Sequence, residues 1–366
     1  MCALAVFPRK EGDDALARPT REAQIRLQSI VILVVAILSI LGAGWIMLSF
    51  WVFPNLRSFR HRLILGLAIS DFIMALNFLF STTMNIAGRF IDHPENTAFC
   101  SFNGFITQVF VIQTDYWVLT IAVCTYFVLA GHKRPSSWVQ DHGVIIWAIP
   151  WFFSTLWASL GLAIVGYEDI GAWCWFGSDW IRLAVNFFPR WVIIVTMFLL
   201  YAYLWTILYK AHNRLSSVEA VSPENLVSGN ATPIVSQPSS FQGSSFRGDL
   251  EGRSSGSVRR LKKVMNASLV LIRWTLTHIV QIARLMLLYP LAYAIIWSLP
   301  TAIRIYNATE KKPAPFALQT LDKASIVIQG FVDAVIYGVN ETSLSSWRLR
   351  LSQIHLLGQT IEGSMR

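Results

Sequence analysis

The sequence predicts an all-α membrane protein: a seven-transmembrane helix bundle with its N-terminus outside and a long, disordered third inner loop. Three observations predict it. First, 54% of the 366 residues are apolar and only 14% are charged, with a mean hydropathy of +0.49. Soluble domains carry about 25% charged residues, so this chain could not cover a water-facing surface. Second, the apolar residues fall in long runs nearly free of charge, not in short alternating segments. Third, one connection between runs is polar, rich in Ser and poor in large apolar groups.

The runs are taken in order. Residues 27–56, 143–167 and 285–303 contain no charged residue. Residues 63–88, 98–131, 183–209 and 324–340 contain one each: Asp71, Asp115, Arg190 and Asp333. A spanning helix needs about 20 mostly apolar residues, and helix satisfies every backbone group inside lipid. Outer-membrane strands would instead be about 10 residues long and alternate in polarity. The last run is the shortest. Its outer edge is marked by Lys323.

Sidedness follows from Lys and Arg, which favour the cytoplasmic side. With the N-terminus outside, the inner segments hold 16 of these residues and the outer segments 11. The organisation is therefore an extracellular tail at 1–26, helices one to five within 27–211, and the third inner loop at 212–262. Residues 263–342 hold the sixth helix with a cytoplasmic lead-in, then the seventh. A cytoplasmic tail follows at 343–366. The stretch 215–258 contains 12 Ser and has the composition of a disordered segment. The apolar stretch 264–283 is interrupted by Arg273 and His278 and reads as the lead-in; an eighth membrane segment is the alternative. In the tail, Trp347, Leu351 and Ile354 share a face, with Leu357 at its edge and Gly358 as a stop. They predict a short amphipathic helix on the inner leaflet; a frayed tail is the alternative.

Cys100 opens the third span and Cys174 sits in the connection after the fourth. Both would face the oxidising exterior, where a disulfide is permitted, and a bond is expected; two free thiols are the alternative. The basic cluster Arg259, Arg260, Lys262 and Lys263 suits anionic lipid or an intracellular protein partner, and Ser254, Ser255 and Ser257 nearby are phosphorylation candidates. Asn307-Ala308-Thr309 is a glycosylation sequon on the outer side.

These residues resemble a family. A Cys at the top of the third span, facing a Cys-Trp second outer loop, resembles seven-helix G-protein-coupled receptors. The stretches LRSFRHRLILGLAISDFIMALNF at 56–78, LMLLYPLAYAIIWSLPTAIRIY at 285–306 and IQGFVDAVIYGVNE at 328–341 resemble the cyclic-AMP-receptor-like family, above all its fungal, nutrient-sensing branch. The likeness spans 27–342. Cys124-Thr125-Tyr126 stands where rhodopsin-like receptors carry Asp/Glu-Arg-Tyr, so that lock does not transfer. Asp333-Ala334-Val335-Ile336-Tyr337 resembles the Asn/Asp-Pro-x-x-Tyr element, with Ala334 in place of Pro.

The resemblance implies a receptor at the plasma membrane that passes an extracellular chemical signal to a heterotrimeric G protein and performs no chemistry itself. Nutrient, nucleotide and lipid ligands all occur in that class. The third helix would line the pocket through Thr107, Gln108 and Val111, with Trp173 and Trp175 as a lid or as ordinary interfacial aromatics. Arg190 would bind an anionic ligand, snorkel outward or pair with Asp115. Tyr293 and Trp297 lie between Pro290 and Pro300, which would bend the sixth helix. Intramembrane ionisable residues suggest function or inward pairing. Asp71, Asp115, Asp333 and Tyr337 are therefore switch candidates, with Asp71 and Asp333 expected to face each other through water. Separate bonding to Ser, Asn or backbone is the alternative. Expected partners are the G protein, membrane lipid, an unknown small molecule and a second copy as homodimer; no nucleic acid, cofactor or metal is implied. The alternative function is a multi-pass transporter or channel, but polar residues are sparse and no internal repeat is present. A retinal protein would need a Lys within the seventh span, and a hydrolase a His cluster at membrane depth.

Overall fold

A computed structural model describes residues 19, 21–91, 93–129, 141–220, 287–307, 309–310, 314–340 and 343–364. The long helices are α1 (Glu22–Val52), α2 (Phe59–Ile86), α3 (Thr97–Leu129) and α4 (Gly143–Ile164). Next comes α5, built from Asp179–Arg182, a π-helical stretch Leu183–Phe187, and Phe188–Ala220. Helix α6 spans Leu287–Asn307. Helix α7 comes in two pieces, Phe316–Val327 and Gln329–Asn340, and α8 spans Ser343–Ser364. A two-residue hairpin, β1 (Glu168–Asp169) and β2 (Cys174–Trp175), lies in the second outer loop.

Helices α1 to α6 are each long and apolar enough to cross a membrane; α7 is divided by a turn at Ile328. The chain separates into two compact units, Met1–Tyr201 with Leu285–Arg366, and Ala202–Arg284. The first unit holds the bundle. In it α1 packs on α2 and α7, α2 on α3, and α3 on α4.

The packing logic is that of a lipid-solvated protein. On α1 the buried face carries Gln28, Ser29, Ile32, Ala36, Ser39, Gly42, Ala43, Ile46 and Ser49, while Leu27, Ile30, Val34, Leu41 and Leu48 point outward. Small and polar groups face the neighbours because lipid gives no hydrophobic reason to hide a Leu, whereas close backbone approach and hydrogen bonds do favour association. At Gly42 an added Cβ would lie 2.9 Å from the Phe331 Cα, so α1 and α7 touch backbone to backbone. At Gly66 the Trp117 indole occupies the space a side chain would need. Arg57 ends α1 by donating to the Trp51 carbonyl at 2.7 Å and the Phe50 carbonyl at 3.3 Å, meeting the unpaired acceptors of a helix C-terminus.

Four sequence expectations change. The seventh helix begins at Phe316, not Ala324, and Lys323 lies inside it and buried; the polar residues that hid this start are all bonded within the bundle. Helix α5 continues to Ala220, into the Ser-rich stretch. Helix α8 continues through Gly358 to Ser364. Asn307 is 1% exposed and its Oδ1 accepts from the Ala314 N–H at 3.1 Å, so the folded protein does not present it for glycosylation. The basic cluster 259–263, the serines before it and the lead-in 264–283 lie outside the described residues.

Candidate functional site

The second outer loop is pulled into the mouth of the bundle. Gly166, at φ +81°, turns the chain out of α4, and Gly171, at φ +112°, turns it at the hairpin tip. Both are conformations that side chains resist. The Cys100–Cys174 disulfide ties the loop to α3. The Cys174 N–H donates to Asn103 Oδ1 at 2.8 Å, and Asn85 Nδ2 donates to the Gly171 carbonyl at 2.8 Å. Lys323 donates to Gln28 Oε1 at 2.9 Å and to the Ile170 carbonyl. Tyr167 rests on Gly104 and donates to the Ala158 carbonyl at 2.8 Å; burial pushes its phenol pKa up. Every residue from 170 to 176 is buried. The two Trp are thus inside the protein rather than at the lipid interface: Trp173 packs on Phe78, with ring centroids 4.4 Å apart.

Beneath this loop, polar groups from α3, α5 and α6 converge. Trp175 donates to Gln108 Oε1 at 2.5 Å, and Gln108 Nε2 donates to Asn186 Oδ1 at 3.0 Å. One turn further along α5, Arg190 is fully buried and pairs with Asp115, Nε to Oδ1 at 2.8 Å and Nη2 to Oδ2 at 3.0 Å. It also donates to Tyr293 Oη at 2.8 Å and to the Val111 carbonyl at 3.3 Å. Its guanidinium lies 3.3 Å from the Trp297 ring centre and 5.6 Å from that of Phe187, a cation–π arrangement strengthened by desolvation. Trp297 Nε1 donates to Gln329 Oε1 of α7 at 3.2 Å.

Six of the residues picked from the sequence therefore meet: Gln108, Val111, Trp175, Arg190, Tyr293 and Trp297. Arg190 pairs with Asp115 and does not snorkel. Thr107 and Trp173 sit apart. Thr107 accepts from Asn77 Nδ2 at 3.0 Å and donates to the Asn103 carbonyl at 2.8 Å, joining α2 to α3. Asp115 belongs to this cluster, not with the other acids. Asn186, Phe187 and Gln329 were missed, although a polar Asn four residues before Arg190 in an apolar run was the available signal.

Deeper in the bundle Asp71 of α2 and Asp333 of α7 are neighbours, each buried and within the other's electrostatic reach. Neither Asp71 oxygen has a hydrogen-bond donor among the described residues. Tyr337, one turn below Asp333, packs edge-on to Trp45 at 5.8 Å and His61 at 6.3 Å. Trp347 of α8 donates to Ser49 Oγ at 2.8 Å and packs on Phe53, fixing α8 to the inner end of α1.

Known proteins resemble the chain over nearly all its length. The family described as "G protein-coupled glucose receptor regulating Gpa2" (Git3) matches residues 25–215, and its C-terminal counterpart matches 274–348. The chain is 39% identical to the ascaroside receptor GPR2 of Arthrobotrys oligospora, over 93% of this chain and 94% of that one. It is 31% identical to the ascaroside receptor GPR3 of the same fungus, over 88% and 86%. The crystal structure of squid rhodopsin superposes with a TM-score of 0.58 at 18% identity, covering 98% of this chain and 91% of that chain; that likeness bears on the fold alone. With its seven-helix fold and disulfide-tethered outer loop, the chain belongs to the family of G protein-coupled glucose receptors regulating Gpa2, a multi-pass plasma-membrane receptor of the fungal cyclic-AMP-receptor-like type that signals to a G protein.

Proposed function

We propose that the Arg190 cluster is the ligand pocket and that its ligand is a small, oxygen-rich molecule of the sugar type. The observation that carries this reading is the convergence, under one buried loop, of hydrogen-bonding groups on α3, α5 and α6 between the aromatic walls Phe187, Trp175 and Trp297. The names support it: the family description speaks of glucose and the relatives of ascarosides. A ligand here touches three helices at once. It therefore changes the relative stability of their arrangements, and a receptor needs such differential binding. Helix α6, with Pro290 and Pro300 bracketing Tyr293 and Trp297, is the element whose arrangement changes. Asp71 and Asp333 carry the response inward, and membrane lipid and a second copy of the chain are further partners.

The test is nucleotide exchange on a Gpa2-type heterotrimer by the full chain in lipid nanodiscs. Glucose and an ascaroside are added separately. At least one is expected to raise exchange, and Trp297→Ala should abolish that rise while basal exchange and folding persist. An undiminished response in Trp297→Ala places the ligand elsewhere.

A further inference from the structure

The pocket has a charge balance and a set of unused valences that bear on ligand choice. Arg190 is the one cation among the groups that meet there, and Asp115 holds it through both carboxylate oxygens. The pair adds no net charge to the site. Two atoms beside it are buried and have no hydrogen-bond partner among the described residues: Arg190 Nη1 and Asn186 Nδ2. Both are donors. Asn186 Oδ1 is already used by Gln108 Nε2, and Gln108 Oε1 by Trp175. Asn186 and Arg190 stand at i and i+4 on α5, so they lie on one face about 6 Å apart. An unmade buried hydrogen bond is costly, and the remedy here is a ligand bearing acceptors.

We propose that Asp115 sets the charge class of the ligand: by neutralising Arg190 it leaves a site that takes uncharged molecules through acceptor oxygens on Arg190 Nη1 and Asn186 Nδ2, and rejects their carboxylate analogues. The inference rests on the pocket reading above and goes further in naming Asp115 as a specificity residue. A bare buried Arg would select an anion bidentately. With Asp115 in place, an incoming carboxylate is a second negative charge beside the first. Both would then share one cation in a low-dielectric interior, where like charges repel strongly. A hydroxyl or ring oxygen meets no such opposition.

Glucose and glucuronate test this, because they differ only in a neutral CH2OH against a carboxylate. Nanodisc-embedded full chain is assayed by thermal unfolding and by nucleotide exchange with each sugar. Wild type is expected to respond to glucose at concentrations at least roughly tenfold below any response to glucuronate. Asp115→Asn, which leaves Arg190 uncompensated, should reverse that order. Should this variant not fold, Asn186→Lys carries the test. It keeps the Asp115–Arg190 pair and adds one positive charge, and it too should turn the preference toward glucuronate. The double variant Asp115→Asn/Arg190→Gln, again neutral, should restore rejection of glucuronate. An unchanged preference in both charge-altering variants overturns the role of Asp115 while leaving the pocket reading intact. Silence of wild type toward both sugars, with basal exchange present, overturns this proposal, and silence toward an ascaroside as well overturns the sugar-type reading itself.

Discussion

Gly330 lacks a side chain, and α7 reaches α1 and α2 through that gap. A Cβ there would lie 2.6 Å from Ser39 Oγ and 2.9 Å from Asp71 Cβ. Gly330→Val should therefore force the helices apart at a cost of about 1–3 kcal/mol, as overpacked cores do, and lower the Tm in nanodiscs by several degrees. Asp333 follows one turn later on the same helix, beside Asp71. In the proposed signalling role, the two neighbouring carboxyls bias the position of α7. Asp71→Asn and Asp333→Asn should each alter the ratio of ligand-stimulated to basal nucleotide exchange several-fold with little change in Tm. Full, unaltered signalling in both variants removes them from the switch. The sequence made each acid conspicuous, because a lone charge in an apolar run stands out. It could not show how near they come to one another, since that depends on what Gly330 permits between helices.

At the level of elements, the second outer loop is the most constrained irregular segment. Its disulfide closes 74 residues of sequence separation between α3 and β2, and such a closure contributes about 2–5 kcal/mol by restricting the unfolded chain. Cys100→Ser and Cys174→Ser should each lower the Tm by roughly 4–20 degrees, given about 2–4 °C per kcal/mol. Reductant should lower wild type to the same value and leave both variants unmoved. The helices themselves were legible because lipid demands long uninterrupted apolar runs. Their ends were less so. The outer part of α7 carries Gln319, Asp322 and Lys323, which read as a loop. Arg304 meets Asp322 at 2.7 Å, Lys323 meets Gln28 and the Ile170 carbonyl, and Gln319 donates to the Ala314 carbonyl at 2.7 Å. Those partners come from distant parts of the chain, so no local pattern announces them. The π stretch at Leu183–Phe187, which precedes Arg190, was equally silent.

Across the whole bundle the Arg190 cluster and the inner face are far apart. From Gln108 to Leu129 along α3 there are about 30 Å of helix at the usual rise per residue. The acid pair lies between them, and α8 is anchored at the far end by Trp347. The composition announced the membrane, and the spacing of the runs announced the bundle. The convergence of six of the eight pocket candidates was legible because helical periodicity and the family resemblance fix which faces look inward. The Asp115–Arg190 pairing stood among the alternatives, but its effect on net charge required both partners in place. The buried outer loop has one more consequence. If the Arg190 cluster holds the ligand as proposed, a guest lodged under a stopper latched by Lys323 and a covalent tether leaves only as often as the stopper lifts. The duration of the cell's response to a vanished stimulus is then governed by that lifting rate, and a weakly held molecule outstays what its affinity alone would allow.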